Sequence, residues 1–191
     1  MRIMSHFIIK FIMTFFIGLE VKNKINFDKQ YIIVANHNSH LDTTAIMSLF
    51  SSQEIKKLNI VAAEDYFFSN KFFSWISNTF LGLIPIKRKS VNKNIFEKIY
   101  KTLDSGNSIL IFPEGSRGKN GSLGELKKGI VSISKNYAHI PILPIKLSKT
   151  EIVLPKGRFI PIPFIIKIEI KKSFFYETDE ILLENIKKSL G

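Results

Sequence analysis

Short apolar runs alternate with amphipathic stretches along most of the chain. The apolar runs predict strands at residues 31–35, 60–62, 83–86, 109–112, 142–145 and 164–170. The stretches with helical spacing predict helices at residues 42–50, 65–80, 91–103, 126–137 and 178–190. Strands that alternate with helices in this way predict an α/β fold, in which a mixed, mostly parallel sheet has helices on both faces within a single domain.

The beginning of the chain is apolar but short. Residues 7–19 carry a single charge, Lys10, and are fewer than the roughly twenty residues that a membrane-spanning helix needs. We therefore expect an N-terminal apolar helix within residues 1–24. This helix either lies in the membrane interface or packs on the core of the domain formed by residues 25–191.

The composition predicts an anionic binding partner. The chain has 28 Lys and Arg against 16 Asp and Glu, a net charge of +12, which predicts binding to nucleic acid, an acidic protein or an anionic lipid surface. The chain has no cysteine, so disulfides, thiolate metal sites and a cysteine nucleophile are all excluded.

Polar residues follow the predicted strand 31–35 at once. His37 is the candidate general base, since a neutral imidazole can take a hydroxyl proton near neutral pH. Asp42, five residues later, could hold the ring tautomer and stabilise the imidazolium, and His40 competes for either role. Ligand sites of open α/β sheets lie beyond the carboxyl ends of strands, which is where this group falls.

A second polar cluster follows the predicted strand 109–112. Gly115 and Gly118 would let backbone amides turn toward an anion, and Arg117 could grip phosphate or carboxylate oxygens. Glu114 would bind a substrate hydroxyl or hold an arginine in place. Lys127, near the start of the next predicted helix, adds positive charge. Together the two clusters predict chemistry on a phosphorylated molecule.

Two other functions remain open at this point. His37, His40 and Asp42 could bind zinc in a metal-dependent lipid or phosphoester hydrolase, although their spacing matches no familiar metal motif. The positive charge alone would suit a non-catalytic module that binds lipid or nucleic acid. The glycine-rich loops of nucleotide-binding proteins are absent from the sequence.

The aromatic side chains between positions 67 and 75 are more numerous than one helix face can bury. We expect them to line an acyl-chain groove or to face a membrane, together with residues 158–164. The residues concerned are Phe67, Phe68, Phe72, Phe73 and Trp75.

Four segments resemble the four sequence blocks of one enzyme family. Asn36–Asp42 resembles the His-x4-Asp signature of the glycerolipid acyltransferases that acylate lysophosphatidic acid (1-acyl-sn-glycerol-3-phosphate). Gly82–Arg88 resembles the second block, which ends in a phosphate-binding arginine, and Phe112–Arg117 the third, usually written with Thr at position 116. Ile140–Ile145 resembles the proline-centred fourth block. The blocks occur in the family's order across most of the chain.

The resemblance implies an acyltransferase domain over residues 25–191 and a reaction without a cofactor. An acyl group would pass from acyl-coenzyme A or acyl carrier protein to lysophosphatidic acid, or to another lysolipid, which would make phosphatidic acid in the first case. His37 would be the base and Asp42 its partner. The acceptor phosphate would be bound by Arg88, Glu114, Gly115, Ser116, Arg117 and Lys127.

The resemblance, together with the net charge, indicates the expected partners. Pro144 of the fourth block joins the residues expected to contact the acyl chain or the membrane. The partners are the lysophospholipid, the acyl thioester, an anionic membrane surface and, as one of two donors, acyl carrier protein, with no nucleic acid. The expected location is peripheral, on the cytoplasmic face of the inner membrane.

Overall fold

One mixed sheet runs through the protein. The computed structural model describes residues 2–63, 82–86, 96–118, 122–153, 162 and 164–191. Within them, seven strands lie in the order β1-β7-β6-β2-β5-β3-β4. The strands are β1 (Leu19–Lys22), β2 (Ile32–Ala35), β3 (Leu58–Ala63), β4 (Leu83–Ile86), β5 (Ser108–Ile111), β6 (Ile142–Ser148) and β7 (Ile166–Ile170). Every pair of these strands is parallel except β6 with β7.

Helices cover both faces of the sheet. They are α1 (Arg2–Ile12), α2 (Leu41–Met47), α3 (Glu97–Asp104), α4 (Gly129–Asn136), α5 (Thr150–Val153) and α6 (Asp179–Leu190). One apolar core joins Ile33 of β2 to α2, and a second joins Ile32 to α3, α4 and α6. Neighbouring residues of a strand serve opposite cores because successive side chains point to opposite faces. The predicted α/β fold is confirmed.

The centre of the sheet sets the position of the polar loops. All residues of β2 and β5 are buried, which is why both strands appear in the sequence as continuous apolar runs. The two strands are parallel neighbours, with Ile32 opposite Ile109 and Val34 opposite Ile111. Their carboxyl ends therefore meet at one edge of the sheet.

Strands β1 and β7 lie at one end of the sheet, with β1 as the edge strand. Side chains of β7 alternate between buried and accessible, with Lys167 and Glu169 on the accessible face. Lys167 forms an ion pair with Glu20 of β1 at 3.3 Å. The side chains of β7 thus pack on the apolar core from one face and carry charge on the other, although β1 and β7 are parallel.

The N-terminal helix is packed on one side and exposed on the other. His6 is buried and donates its Nε2 hydrogen to the carbonyl of Met47 in α2 at 3.2 Å, and burial lowers the pKa of this imidazole. Ile9 lies against the same core. The opposite side of α1, with the π-helical turn that follows it, exposes large apolar side chains: Met4, Phe7, Ile8, Phe11, Phe15 and Phe16.

The predicted N-terminal helix is present but ends before residue 24. A π-helical turn, Met13–Ile17, follows α1, and Leu19–Lys22 then enters the sheet as β1 beside β7. This strand was not predicted because its alternating pattern is only four residues long, with Leu19 and Val21 as its apolar members. Among the described residues, no helix has both the length and the apolar content to cross a bilayer. The helix predicted at residues 65–80 lies outside the described residues.

Candidate active site

The two predicted polar clusters lie side by side. The loop after β2 holds His37 and Asp42, and the loop after β5 holds Glu114 and Arg117. Because β2 and β5 are adjacent and parallel, both loops leave the same edge of the sheet. Residues 77 positions apart in sequence consequently come within hydrogen-bond distance.

His37 and Asp42 form a directly bonded pair. Nδ1 of His37 lies 2.8 Å from Oδ2 of Asp42, whose side chain is fully buried while that of His37 is 23% exposed. A carboxylate oxygen accepts, so Nδ1 carries the hydrogen and Nε2 is the nitrogen that can take a proton. The backbone N–H groups of Asn38 and Ser39 donate to the same Oδ2 at 2.6 and 2.8 Å. Three donors therefore hold this carboxylate at the first turn of α2.

The β5 loop holds the other sides of His37. The ring of Phe112 stacks on the imidazole, with the ring centroids 4.3 Å apart. The backbone N–H of His37 donates to Oε1 of Glu114, and its carbonyl accepts from the N–H of Gly118, both at 2.7 Å. The orientation of the imidazole therefore depends on both loops.

Asn36 is a structural residue that sequence reasoning passed over. Its side-chain amide donates to the carbonyl of Leu147 at 2.8 Å and accepts from the N–H of the same residue at 2.7 Å. This exchange continues the pairing of β2 with β6 by one residue beyond the last strand pair, Ala35 with Ile145. Its signal in the sequence was an amide residue placed directly between a buried strand and the candidate base.

Glu114 is buried with both carboxylate oxygens on backbone amides. It is 3% exposed, and Oε2 accepts from the N–H of Gly124 at 2.7 Å, opposite the bond from His37. A β-carbon at Gly124 would lie 2.9 Å from that oxygen. Sequence reasoning missed Gly124, which stands ten residues from its partner and belongs to none of the family's blocks.

The exposed part of the β5 loop brings several of the predicted anion-binding residues together. Gly115 has φ of +69°, a conformation that favours glycine. A β-carbon added at this position would lie 3.4 Å from Cγ of Lys127. Ser116 is exposed on this turn. The ammonium group of Lys127 lies 3.1 Å from the carboxylate of Glu125, an ion pair with both side chains largely exposed.

Arg117 reaches back to the loop after β2. Its Nη1 donates to Nε2 of His40 at 2.7 Å, which requires a neutral His40 ring. Desolvation of the ring lowers the pKa of His40, as do the nearby charge of Arg117 and the imidazole of His37, while Asp42 acts in the opposite direction. His40 therefore contacts Arg117 and does not replace Asp42 beside the candidate base.

These contacts occupy the nitrogens that the alternative zinc site would need. Nδ1 of His37 is bonded to Asp42, and Nε2 of His40 accepts from a positively charged guanidinium. Within the described ranges, no group of three or more His, Asp or Glu side chains is arranged to hold a metal ion. This geometry does not favour the zinc-hydrolase interpretation.

The remaining predicted site residues divide into two groups. Pro144 is buried in β6, opposite Val34 of β2, and its contact with an acyl chain or a membrane stays a prediction. The other residues lie outside the described part of the chain: Phe67, Phe68, Phe72, Phe73, Trp75 and Arg88.

A family model described as Acyltransferase matches residues 18–148 of the chain. This match covers both polar loops and six of the seven strands in full, β1 to β6. The chain belongs to the acyltransferase family. The family's four blocks, which the sequence resembles, all fall within the matched residues.

Curated members of the family give the degree of similarity. The chain is 32% identical over 143 residues to 1-acyl-sn-glycerol-3-phosphate acyltransferase BAT2, chloroplastic, of Brassica napus, which covers 73% of this chain and 38% of that protein. It is 27% identical over 129 residues to a probable 1-acyl-sn-glycerol-3-phosphate acyltransferase of Mycoplasma genitalium, covering 66% of this chain and 47% of that one. The chain thus spans less than half the length of these relatives.

A solved structure shares the acyltransferase fold. The 1-acyl-sn-glycerophosphate (LPA) acyltransferase PlsC from Thermotoga maritima superposes with a TM-score of 0.79 over 97% of this chain and 74% of that one, at 21% identity. At that identity the likeness concerns the fold. The predicted family and the predicted fold are both confirmed by these matches.

Proposed function

We propose that this acyltransferase moves a fatty acyl group from an acyl thioester to the free hydroxyl of 1-acyl-glycerol-3-phosphate and so makes phosphatidic acid. The observation that carries the proposal is the 2.8 Å bond between Nδ1 of His37 and Oδ2 of Asp42, beside a cationic loop. The names of the curated relatives support the same reaction.

The chemistry requires no covalent intermediate on the protein. Nε2 of His37 takes the proton of the glycerol hydroxyl as its oxygen attacks the thioester carbonyl. The tetrahedral intermediate then collapses, the carbon–sulfur bond breaks, and the imidazolium returns its proton to the leaving thiolate. Asp42 stabilises the imidazolium between these steps and keeps Nε2 facing the substrate.

The cations of the β5 loop bind the acceptor phosphate. Arg117 and Lys127 supply positive charge on one side of the loop, and Gly115 and Ser116 offer backbone and hydroxyl donors beside them. Arg88 joins them by resemblance to the family's second block. Fixing the phosphate aims the hydroxyl at His37, and this positioning supplies much of the rate gain.

The apolar face of α1 suits a peripheral position on an anionic membrane. Phe7 of α1 and Phe15 of the π-helical turn after it are 61% and 73% exposed, and the ammonium group of Lys10 lies near the carbonyl of Phe50 at the edge of that face. Apolar burial combined with a net charge of +12 favours a membrane surface that contains anionic lipid. The cytoplasmic face of the inner membrane remains the location predicted from the sequence.

Acyl transfer to lysophosphatidic acid in liposomes tests the proposal. Wild type and His37→Ala are each supplied with acyl-coenzyme A and with acyl carrier protein. We expect phosphatidic acid from wild type with at least one donor and none above background from His37→Ala. The faster donor identifies the thiol carrier, which the charge of the protein leaves open.

A matched histidine controls for the substitution itself. His139 lies before β6, at the opposite end of the strands from His37, and His139→Ala should retain wild-type activity. Full activity in His37→Ala would contradict the assigned base. Activity with other lysolipids, but not with lysophosphatidic acid, would keep the mechanism and correct the acceptor.

A further inference from the structure

We propose that Glu114 is a positioning residue that fixes the backbone of His37 and does not touch the substrate. This role differs from the phosphate-binding role that the family resemblance implies. It rests on the proposed function, in which His37 is the base. Its basis is the geometry of one buried carboxylate and the two glycines packed against it.

The contacts of Glu114 point inward. Oε1 accepts from the N–H of His37 and Oε2 from the N–H of Gly124, each at 2.7 Å, and the residue is 3% exposed. A buried carboxylate is stable only where donors replace its hydration, and backbone N–H groups are strong partners for it. Both oxygens are thus engaged by the protein backbone.

The charge of Glu114 argues against contact with a phosphate. Carboxylate and phosphate are both anionic, so direct contact would be repulsive unless a cation lay between them. The cations of this loop, Arg117 and Lys127, instead contact His40 and Glu125. The described residues therefore place the positive charge on the exposed part of the loop and Glu114 beneath it.

Two glycines make room for this carboxylate. A β-carbon at Gly124 would lie 2.9 Å from Oε2, and one at Gly118 would lie 3.2 Å from Oε2 and 2.8 Å from the carbonyl oxygen of Ser122. Gly118 also donates its N–H to the carbonyl of His37. The loop after β5 consequently closes around Glu114 and holds both backbone groups of His37.

These contacts determine the position of the His37 imidazole. The ring of His37 is bonded to Asp42 on one edge and stacked on Phe112, but both contacts require the backbone to be in place. A shift of the His37 backbone would misalign Nε2 with the acceptor hydroxyl. Loss of Glu114 should therefore slow turnover while leaving the phosphate contacts intact.

Glu114→Gln tests the role by steady-state kinetics. The glutamine amide offers one oxygen, so one of the two backbone N–H groups would face an NH2 group and lose its acceptor. We expect kcat to fall about tenfold to a hundredfold, with KM for lysophosphatidic acid within about twofold of wild type. A raised KM with unchanged kcat would overturn the proposal. Glu97→Gln, an exposed carboxylate on α3 paired with Lys101, is the matched control and should behave as wild type.

Gly124→Ala provides a second route to the same contact. Its methyl group would push Oε2 away while the carboxylate itself remains, and kcat should fall by about threefold to tenfold because the displacement is only a few tenths of an ångström. In the Glu114→Gln background the same change should add little, since the contact is already broken. Strictly multiplicative losses in the double variant would contradict a shared cause.

The backbone amide resonance of His37 gives a readout that does not depend on activity. A charged acceptor at 2.7 Å should shift its proton resonance downfield, and Glu114→Gln should move it upfield, together with that of Gly124. If wild type has no acyltransferase activity, the proposed function fails while this measurement still decides the contact. Unchanged resonances of both amides in the variant would overturn the positioning role.

Discussion

The buried and the exposed halves of the candidate site are held by different partners. Asn36, Asp42 and Glu114 are each at most 3% exposed and are bonded mainly to backbone groups. Ser116, Arg117 and Lys127 lie on the accessible part of the β5 loop, where the contacts are between side chains. Backbone partners fix a position, whereas exposed side chains can rearrange around a ligand. We infer that the buried half sets the geometry of the base and the exposed half binds the acceptor.

The largest effect should come from the buried carboxylate beside the base. Asp42→Asn removes the charge that stabilises the imidazolium and weakens an acceptor shared by His37, Asn38 and Ser39. We expect kcat to fall about a thousandfold to ten-thousandfold, measured as phosphatidic acid formed at saturating substrates. Asp28→Asn, at an exposed carboxylate, is the control. A variant that keeps more than a tenth of wild-type kcat would remove Asp42 from the mechanism.

A smaller effect, on a different kinetic constant, should come from the exposed half. Arg117→Ala removes a charged hydrogen-bond donor, and such bonds contribute about 1.5–3 kcal/mol. This predicts KM for lysophosphatidic acid raised by about tenfold to a hundredfold with little change in kcat. Initial rates over a range of acceptor concentrations would measure it, with Lys56→Ala as an exposed control. If kcat fell and KM stayed constant, the division between the two halves would be wrong.

The smallest effect should appear at the contact between the two halves. His40 accepts from Arg117 only while its ring is neutral, and desolvation with the neighbouring Arg117 and His37 lowers its pKa, against the opposing effect of Asp42. Because the pKa is lowered, the contact persists into mildly acidic solution and is lost as the pH falls through that value. KM for the acceptor should then rise by about threefold.

Comparison with His40→Gln isolates this effect from titration of the substrate phosphate. Glutamine offers an oxygen that does not titrate in this range, so the variant should show a weaker rise of KM between neutral and mildly acidic pH. Both proteins bind the same acceptor, whose ionisation cancels in the ratio of their KM values. Identical acid dependence in the two would show that His40 does not govern Arg117.

The sequence was sufficient to predict the elements that a local run of residues marks clearly. Buried strands β2 and β5 were predicted from continuous apolar runs, and their loops from the residues that follow. The strand β1 was not predicted, because Glu20 and Lys22 face solvent while only Leu19 and Val21 pack inward. The sequence also did not predict hydrogen bonds between residues that are separated along the chain, such as Asn36 with Leu147 or Glu114 with Gly124. The chemistry of a residue can be proposed from sequence, but its neighbours depend on strand order.

The pairing of β1 with β7 has a consequence for synthesis. Leu19 lies opposite Ile166 at one edge of the sheet, so this edge is completed only after Ile166 has left the ribosome. The apolar side of α1 leaves the ribosome well before β7 does, and contacts so distant in sequence form late during folding. During translation the N-terminal segment therefore meets its surroundings, a lipid surface or a chaperone, well before it meets the strand that holds it.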